Sequence, residues 1–224
     1  MEGTDLGFVH TYVPAQPGEQ RVLLVLHGTG GDETSLLPLG RDLAPDAALL
    51  SPRGKVLERG APRFFRRLAE GVFDLADLRY RTHELAAFIE RAAGVYGFDP
   101  HRLIVAGYSN GANMAASLLL THPELFGAAI LFRAMMPFEP EVLPDLHGKA
   151  IYLAAGRRDP LVAPQSVTRL STLLEAAGAQ VVLRWQETGH GLDPEEIAEA
   201  RAWLDTLAKA GSRAGESSAA QSEE

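Results

Sequence analysis

None of the 224 residues is cysteine, which removes disulfide scaffolds, thiolate metal sites and cysteine nucleophiles together. Long apolar runs are also missing. Nothing reaches the roughly 18 apolar residues of a membrane span, so no stable membrane insertion is expected. Positive charge is the minority sign, with 21 Lys and Arg against 29 Asp and Glu and a formal net charge of -8. Nucleic-acid binding depends on clustered Lys and Arg that displace counterions, so nucleic acid is not an expected partner. The densest basic run, Arg63 to Arg67, is interrupted by Phe64 and Phe65 and reads as a solvated loop or pocket rim. Met1 to Gly7 carries two acidic groups and neither the positive segment nor the apolar stretch of a signal peptide, which sets a cytoplasmic location as the expectation.

The composition that remains, 46% hydrophobic and 22% charged, is that of a chain able to bury a core. Its length suits a single α/β domain. Short runs rich in Val, Ile and Leu alternate with longer amphipathic stretches, as expected of a mostly parallel sheet covered by helices on both faces. Seven strands are expected. Phe8–Val13 reads as an edge strand ended by Pro14, followed by Val22–Leu26, Ala47–Leu50, Leu103–Ala106, Ala128–Phe132, Ala150–Ala154 and Val181–Trp185 as internal strands. Helices are expected over Leu75–Ala93, Asn110–Leu120, Pro164–Ala177 and Pro194–Lys209, the last two opened by proline in the first turn. The catalytic domain would span residues 1–210. Beyond it the chain becomes Gly, Ser, Ala, Gln and Glu without apolar periodicity, so residues 211–224 read as a disordered tail. Gly54 to Asp74 is long enough to be a substrate-facing insertion.

Ligands in open parallel sheets bind beyond the carboxyl ends of strands, and polar residues gather there. His27, Gly28 and Thr29 follow one expected strand, and Ser51, Pro52 and Arg53 the next; Ser109, Asp159 and His190 follow three more. Ser109 lies in Gly107-Tyr108-Ser109-Asn110-Gly111, a GxSxG pattern set between an apolar strand and a helix, where the glycines permit a turn too tight for side chains. An exposed turn serine is the competing reading. A serine hydroxyl needs a base to take its proton and a third group to fix that base. Of the histidines that follow, His122 and His147 sit at ordinary surface positions, whereas His190 lies between glycines after the final strand. Asp145 precedes its nearest strand and Asp159 follows it, on the active edge, so Asp159 is the preferred acid. The oxyanion donors would be backbone N–H groups of Asn110, just after the serine, and of Thr29. The glycines from Gly28 to Gly31 could also cradle phosphate, but the third glycine and the acidic partner of a nucleotide site are missing. Phe64, Phe65, Phe73, Met135, Met136 and Phe138 are candidate substrate-pocket residues, with plain core as the competing reading. Arg133, at a strand end, could orient a substrate carboxylate or form a structural ion pair. No metal or cofactor is required by this chemistry.

As a set, LLVLHGTGGDE from Leu23, SPRGKVLERGAPRFFRRLAEGVFD from Ser51, VAGYSNGAN from Val105, LFRAMMPFEP from Leu131, AAGRRDPLVAP from Ala154 and ETGHGL from Glu187 resemble the carboxylesterase and phospholipase family of α/β-hydrolases. That family includes acyl-protein thioesterase-like enzymes and bacterial hydroquinone-resistance hydrolases. The resemblance implies a single-domain α/β-hydrolase fold, Ser109 as nucleophile, Asp159 as acid, His190 as base and donors at Thr29 and Asn110. Asn110 stands where the better-known thioesterases carry Gln, and the Arg133 to Pro137 stretch looks closer to the bacterial esterase branch. The expected activity is hydrolysis of short-to-medium acyl esters through an acyl-enzyme, with a small-molecule ester as the partner. An acyl thioesterase or lysophospholipase with the same residues, and a non-hydrolytic binding protein on the same fold, are the alternatives. The oligomeric state, monomer or homodimer, is left open by the sequence.

Overall fold

The structure, a computed structural model, describes residues 6–220, with side chains through residue 209. Its centre is a seven-stranded sheet in the spatial order β1 (His10–Val13), β3 (Ala48–Pro52), β2 (Val22–Leu26), β8 (Ile104–Tyr108), β9 (Ala128–Phe132), β10 (Ala150–Gly156) and β11 (Gln180–Gln186). β2 (Val22–Leu26) shows why the central strands carry unbroken apolar runs: all five residues are buried, and the side chains alternate between two cores. Leu24 and Leu26 face one cluster, Leu23 and Val25 the other. The same split holds in β9 (Ala128–Phe132), with Ala129 and Leu131 on one side and Ile130 and Phe132 on the other. A parallel sheet covered on both faces has no polar side to display.

Helices α2 (Leu75–Tyr96), α3 (Asn110–Thr121) and α4 (Pro164–Ala176) cover the first face. On the other face, α1 (Leu37–Leu43) packs with α5 (Pro194–Ala220). α2 starts where its cap dictates, since the Asp74 carboxylate accepts the Asp77 N–H, satisfying one of the orphan donors of the first turn. It ends at Gly97, whose φ of 73° is the left-handed conformation that closes many helices.

The expected strands are present as β1 (His10–Val13), β2, β3 (Ala48–Pro52), β8 (Ile104–Tyr108), β9, β10 (Ala150–Gly156) and β11 (Gln180–Gln186). β1 alone is antiparallel to its neighbour, pairing with β3 along the edge. β11, which the sequence allows as an internal strand, pairs only with β10 and forms the second edge. Its half-buried pattern reflects one flank without a neighbouring strand. Phe8 is not in β1 but is buried against Phe88, ring centroids 5.0 Å apart. The Gly54 to Asp74 segment is two small hairpins, β4 (Val56–Glu58) with β5 (Ala61–Arg63) and β6 (Arg67–Ala69) with β7 (Val72–Phe73).

α5 continues as helical backbone to Ala220, into the stretch whose composition predicts no order. Propagation of a helix that is already nucleated and packed costs little per residue. Side chains of residues 210–220 and all of residues 221–224 lie outside the described residues. No helix among the described residues is long and apolar enough to cross a membrane.

Candidate active site

The turn between β8 and α3 places Ser109 at φ 54°, ψ −114°, a backbone conformation that disfavours side chains and signals stored strain. Its surroundings leave no alternative. A Cβ on Gly107 would lie 2.6 Å from the Gly111 carbonyl oxygen, and one on Gly111 would lie 2.0 Å from that of Leu26. Both glycines are therefore required by close backbone approach, and the strand–helix pair is held by Ser109 N–H donating to Phe132 O at 2.9 Å.

Loops after β10 and β11 bring two further groups to the serine. His190 Nε2 lies 2.8 Å from Ser109 Oγ, and His190 Nδ1 lies 2.8 Å from Asp159 Oδ2. With the Nδ1 proton directed at the carboxylate, Nε2 is free to accept the serine proton. The Asp159 side chain is fully buried and that of His190 is 19% exposed. The second carboxylate oxygen, Oδ1, accepts the N–H groups of Leu161 and Val162, so both oxygens are occupied and the carboxylate cannot swing. Asp145 and His147 pair with each other at the surface, away from this site. His122 likewise lies at the surface, in contact with His83 and Glu124.

The His27 to Gly31 loop is fastened from the side of the double hairpin. His27, 1% exposed, directs Nδ1 to Gly28 O at 2.7 Å and accepts the Gly54 N–H at Nε2 at 2.9 Å. Both ring nitrogens are thus used by the neutral form, and burial pushes the pKa below that of a free imidazole. Gly30 N–H donates to Pro62 O, Arg63 Nη1 donates to Thr29 Oγ1 at 2.7 Å, and Phe64 N–H donates to Asn110 Oδ1 at 2.8 Å. Asn110 Nδ2 is buried and has no hydrogen-bond partner among the described residues. Arg63 is only 3% exposed; burial lowers its pKa, and the neighbouring Arg67 adds to the shift.

These loops surround a cavity of about 360 Å³ with Ser109 and His190 on its wall. Of the six side chains expected in a substrate pocket, Phe73 and Met135 line it, and Phe138 packs on the core instead. Phe64 and Phe65 are corrections: at 2% and 0% exposure they belong to the core, Phe64 against His27 and Phe65 against Phe73. Met136 also packs on the core rather than on the cavity. Ser51 and Pro52 lie within β3, and Arg53 is paired with Glu33, so that strand end does not join the site. Arg133 resolves as an ion pair. It is wholly buried, at φ 59°, contributes to the cavity lining, and is bound to Glu196 through its two terminal guanidinium nitrogens at 2.8 and 2.7 Å.

Sequence reading missed Tyr108 and Asn113 on the cavity wall. Tyr108 and Asn113 carried a usable signal, since one adjoins the nucleophile and the other sits one helical turn after it. Arg63 and Arg67, expected on a solvated loop or pocket rim, reach the cavity wall because the two hairpins fold back over it. Among the described residues, no group of three or more His, Asp or Glu side chains is placed to hold a metal ion.

Known proteins resemble this chain over most of its length. The Dienelactone hydrolase family matches residues 61–211. A Bacillus subtilis (strain 168) protein named "Putative hydrolase MhqD" is 49% identical over 182 residues, covering 81% of this chain and 91% of that protein. The crystal structure of a Bacillus cereus carboxylesterase superposes with a TM-score of 0.87 at 44% identity, covering 89% of this chain and 94% of the other. That of a Mesorhizobium loti carboxylesterase gives 0.84 at 36% identity, covering 90% and 96%. With the strand order, the serine elbow and these relatives in agreement, the chain belongs to the dienelactone hydrolase family and is a hydrolase built on the α/β-hydrolase fold.

Proposed function

We propose that the protein is a serine carboxylesterase that cleaves short-to-medium acyl esters through an acyl-enzyme. One observation carries the reading: a continuous Ser109–His190–Asp159 hydrogen-bond chain, with two 2.8 Å links, opens onto a cavity from a strained serine. His190 Nε2 takes the Ser109 proton as Oγ attacks the ester carbonyl, and the imidazolium that forms is stabilised by buried Asp159. The carbonyl oxygen, now an oxyanion, is received by the backbone N–H groups of Thr29 and Asn110. His190 then returns the proton to the departing alkoxide, and later deprotonates a water that releases the acid and restores Ser109.

The carboxylesterases of Bacillus cereus and Mesorhizobium loti, similar over nearly the whole chain, support ester cleavage. A cavity of about 360 Å³ sits at the small end of ligand pockets, which favours small acyl groups over the long tail of a lysophospholipid. Turnover of p-nitrophenyl butyrate by the wild type, and a loss of at least about a thousandfold in kcat for Ser109→Ala, is the expected result. Equal rates would overturn the reading. A bound phosphonate should direct its oxygen at the two backbone donors, about 2.7–3.1 Å away; an oxygen pointing elsewhere would remove the oxyanion assignment.

A further inference from the structure

We infer that Arg133 is a positioning residue: with Glu196 it forms a buried clamp that holds the His190 loop in line with Ser109. This inference rests on the reading of His190 as the base. Arg133 follows β9, and its guanidinium reaches across to the loop after β11. Nε donates to Gly189 O at 3.0 Å, while Nη2 donates to Gly191 O at 2.6 Å and to Thr188 Oγ1 at 3.1 Å. The two carbonyls belong to the residues immediately before and after His190, so one planar group fixes the backbone on both sides of the base.

The clamp is itself anchored. Arg133 and Glu196 are both wholly buried and face each other through both carboxylate oxygens, a bidentate geometry that defines orientation as well as distance. Glu196 also accepts the Asp193 N–H, as in the capping boxes that open helices, so the start of α5 and the clamp are one unit. Arg133 N–H donates to Ala154 O at 2.8 Å, which ties the backbone of the residue, held at positive φ, to β10. Among the described residues no other side chain makes equivalent contacts: Tyr108 Oη donates to His190 O at 3.1 Å, but none besides Arg133 grips both flanking carbonyls. A loop between two glycines would otherwise have wide conformational freedom, and displacement of a reacting group by ~1 Å can cost about a hundredfold in rate.

A merely structural ion pair and a positioning clamp make different predictions. The double variant Arg133→Met/Glu196→Met removes both buried charges together, an exchange that is often neutral for stability. Positioning predicts a fall in kcat for p-nitrophenyl butyrate of about 10- to 100-fold with KM within about twofold. It also predicts loss or broadening of the low-field proton resonance of the His190 Nδ1–H beside Asp159. Arg133→Lys keeps the charge opposite Glu196 but loses the fork to the two carbonyls; it should fold, lower kcat in the same direction and leave KM alone. If the double variant fails to fold, the Lys variant decides. Wild-type kcat and an unchanged resonance in the folded variant would overturn the inference. His190→Ala in the same assay separates the two claims: if it is inactive while the clamp variants retain full rate, only the positioning role falls, and if it keeps wild-type rate the base assignment falls first.

Discussion

The two sides of the serine are held by different physics. On the side of Thr29 and Asn110, the fastening is mostly by uncharged hydrogen bonds and backbone, namely neutral His27 between Gly28 and Gly54, Gly30 to Pro62, and Phe64 to Asn110, with the Arg63 guanidinium on the Thr29 hydroxyl as its one charged donor among these. On the side of His190, the fastening is a fully buried ion pair, Arg133 with Glu196. The difference follows from position in the sheet. β2 and β8 are adjacent central strands, and their loops are continued by backbone that is already packed. The base loop leaves β11, an edge strand, and has to be tied back by a long side chain from two strands away. A neutral network tolerates the loss of one member; a buried charge left without its partner does not.

The largest break in this comparison is Glu196→Leu, which leaves the Arg133 guanidinium buried and uncompensated. We expect a loss of ~3–5 kcal/mol in chemical denaturation, recovered in large part when Arg133 is also replaced by Met. A cost below ~1 kcal/mol would show that the two sides do not differ in kind.

Asn110→Ala tests the opposite side. It strands the buried Phe64 N–H but also removes an Nδ2 that has no partner. The two partly offset, so the expected cost is about 1–2 kcal/mol, with kcat reduced less than about tenfold because the backbone N–H is retained. A cost as large as that of Glu196→Leu would erase the distinction.

Acidification sharpens it further. The folded-state pKa of His27 lies below the ordinary value of 6.5 because burial penalises its charged form. The unfolded chain therefore takes up the proton first. Stability from this residue is complete above about pH 6.5 and is lost as pH falls below it. Protonation also removes the acceptor of the Gly54 N–H. The melting temperature of wild type should decline more steeply between about pH 7 and about pH 5 than that of His27→Gln; parallel curves would exclude His27 as the pH-sensitive group on this side.

Thr29→Val is the mildest probe. It removes the hydroxyl bound by Arg63 while leaving the backbone donor, and kcat/KM should fall less than about tenfold. A loss of a hundredfold or more would mean that the hydroxyl itself, rather than the N–H, meets the oxyanion.

Legibility in the sequence tracked how local each feature is. β2 and β9 carry apolar runs whose ends coincide with the strand ends, because burial on both faces demands an unbroken run. The elbow glycines announce Ser109 for the same local reason. α1 escaped because it has only seven residues, with Pro38 and Gly40 among them, too short for periodicity to register. The hairpins β4 to β7 escaped because strands of two and three residues are too short for an alternation to register. β11 reads as an internal strand because its composition does not reveal that no strand lies beyond it. Phe64 and Phe65 read equally as pocket or core, and only the fold of the insertion turned them inward.

By itself, then, the sequence determined the alternating α/β order, the strained turn at Ser109 and the candidates His190 and Asp159, since each depends on residues within a few positions of one another. The tertiary structure decided which strand is an edge, which aromatic faces the cavity, that Arg63 reaches Thr29 and that Arg133 embraces the residues on either side of His190. Those contacts join positions 34 to 58 residues apart, and a bond between distant residues is set by how the sheet closes around it, not by any pattern along the chain.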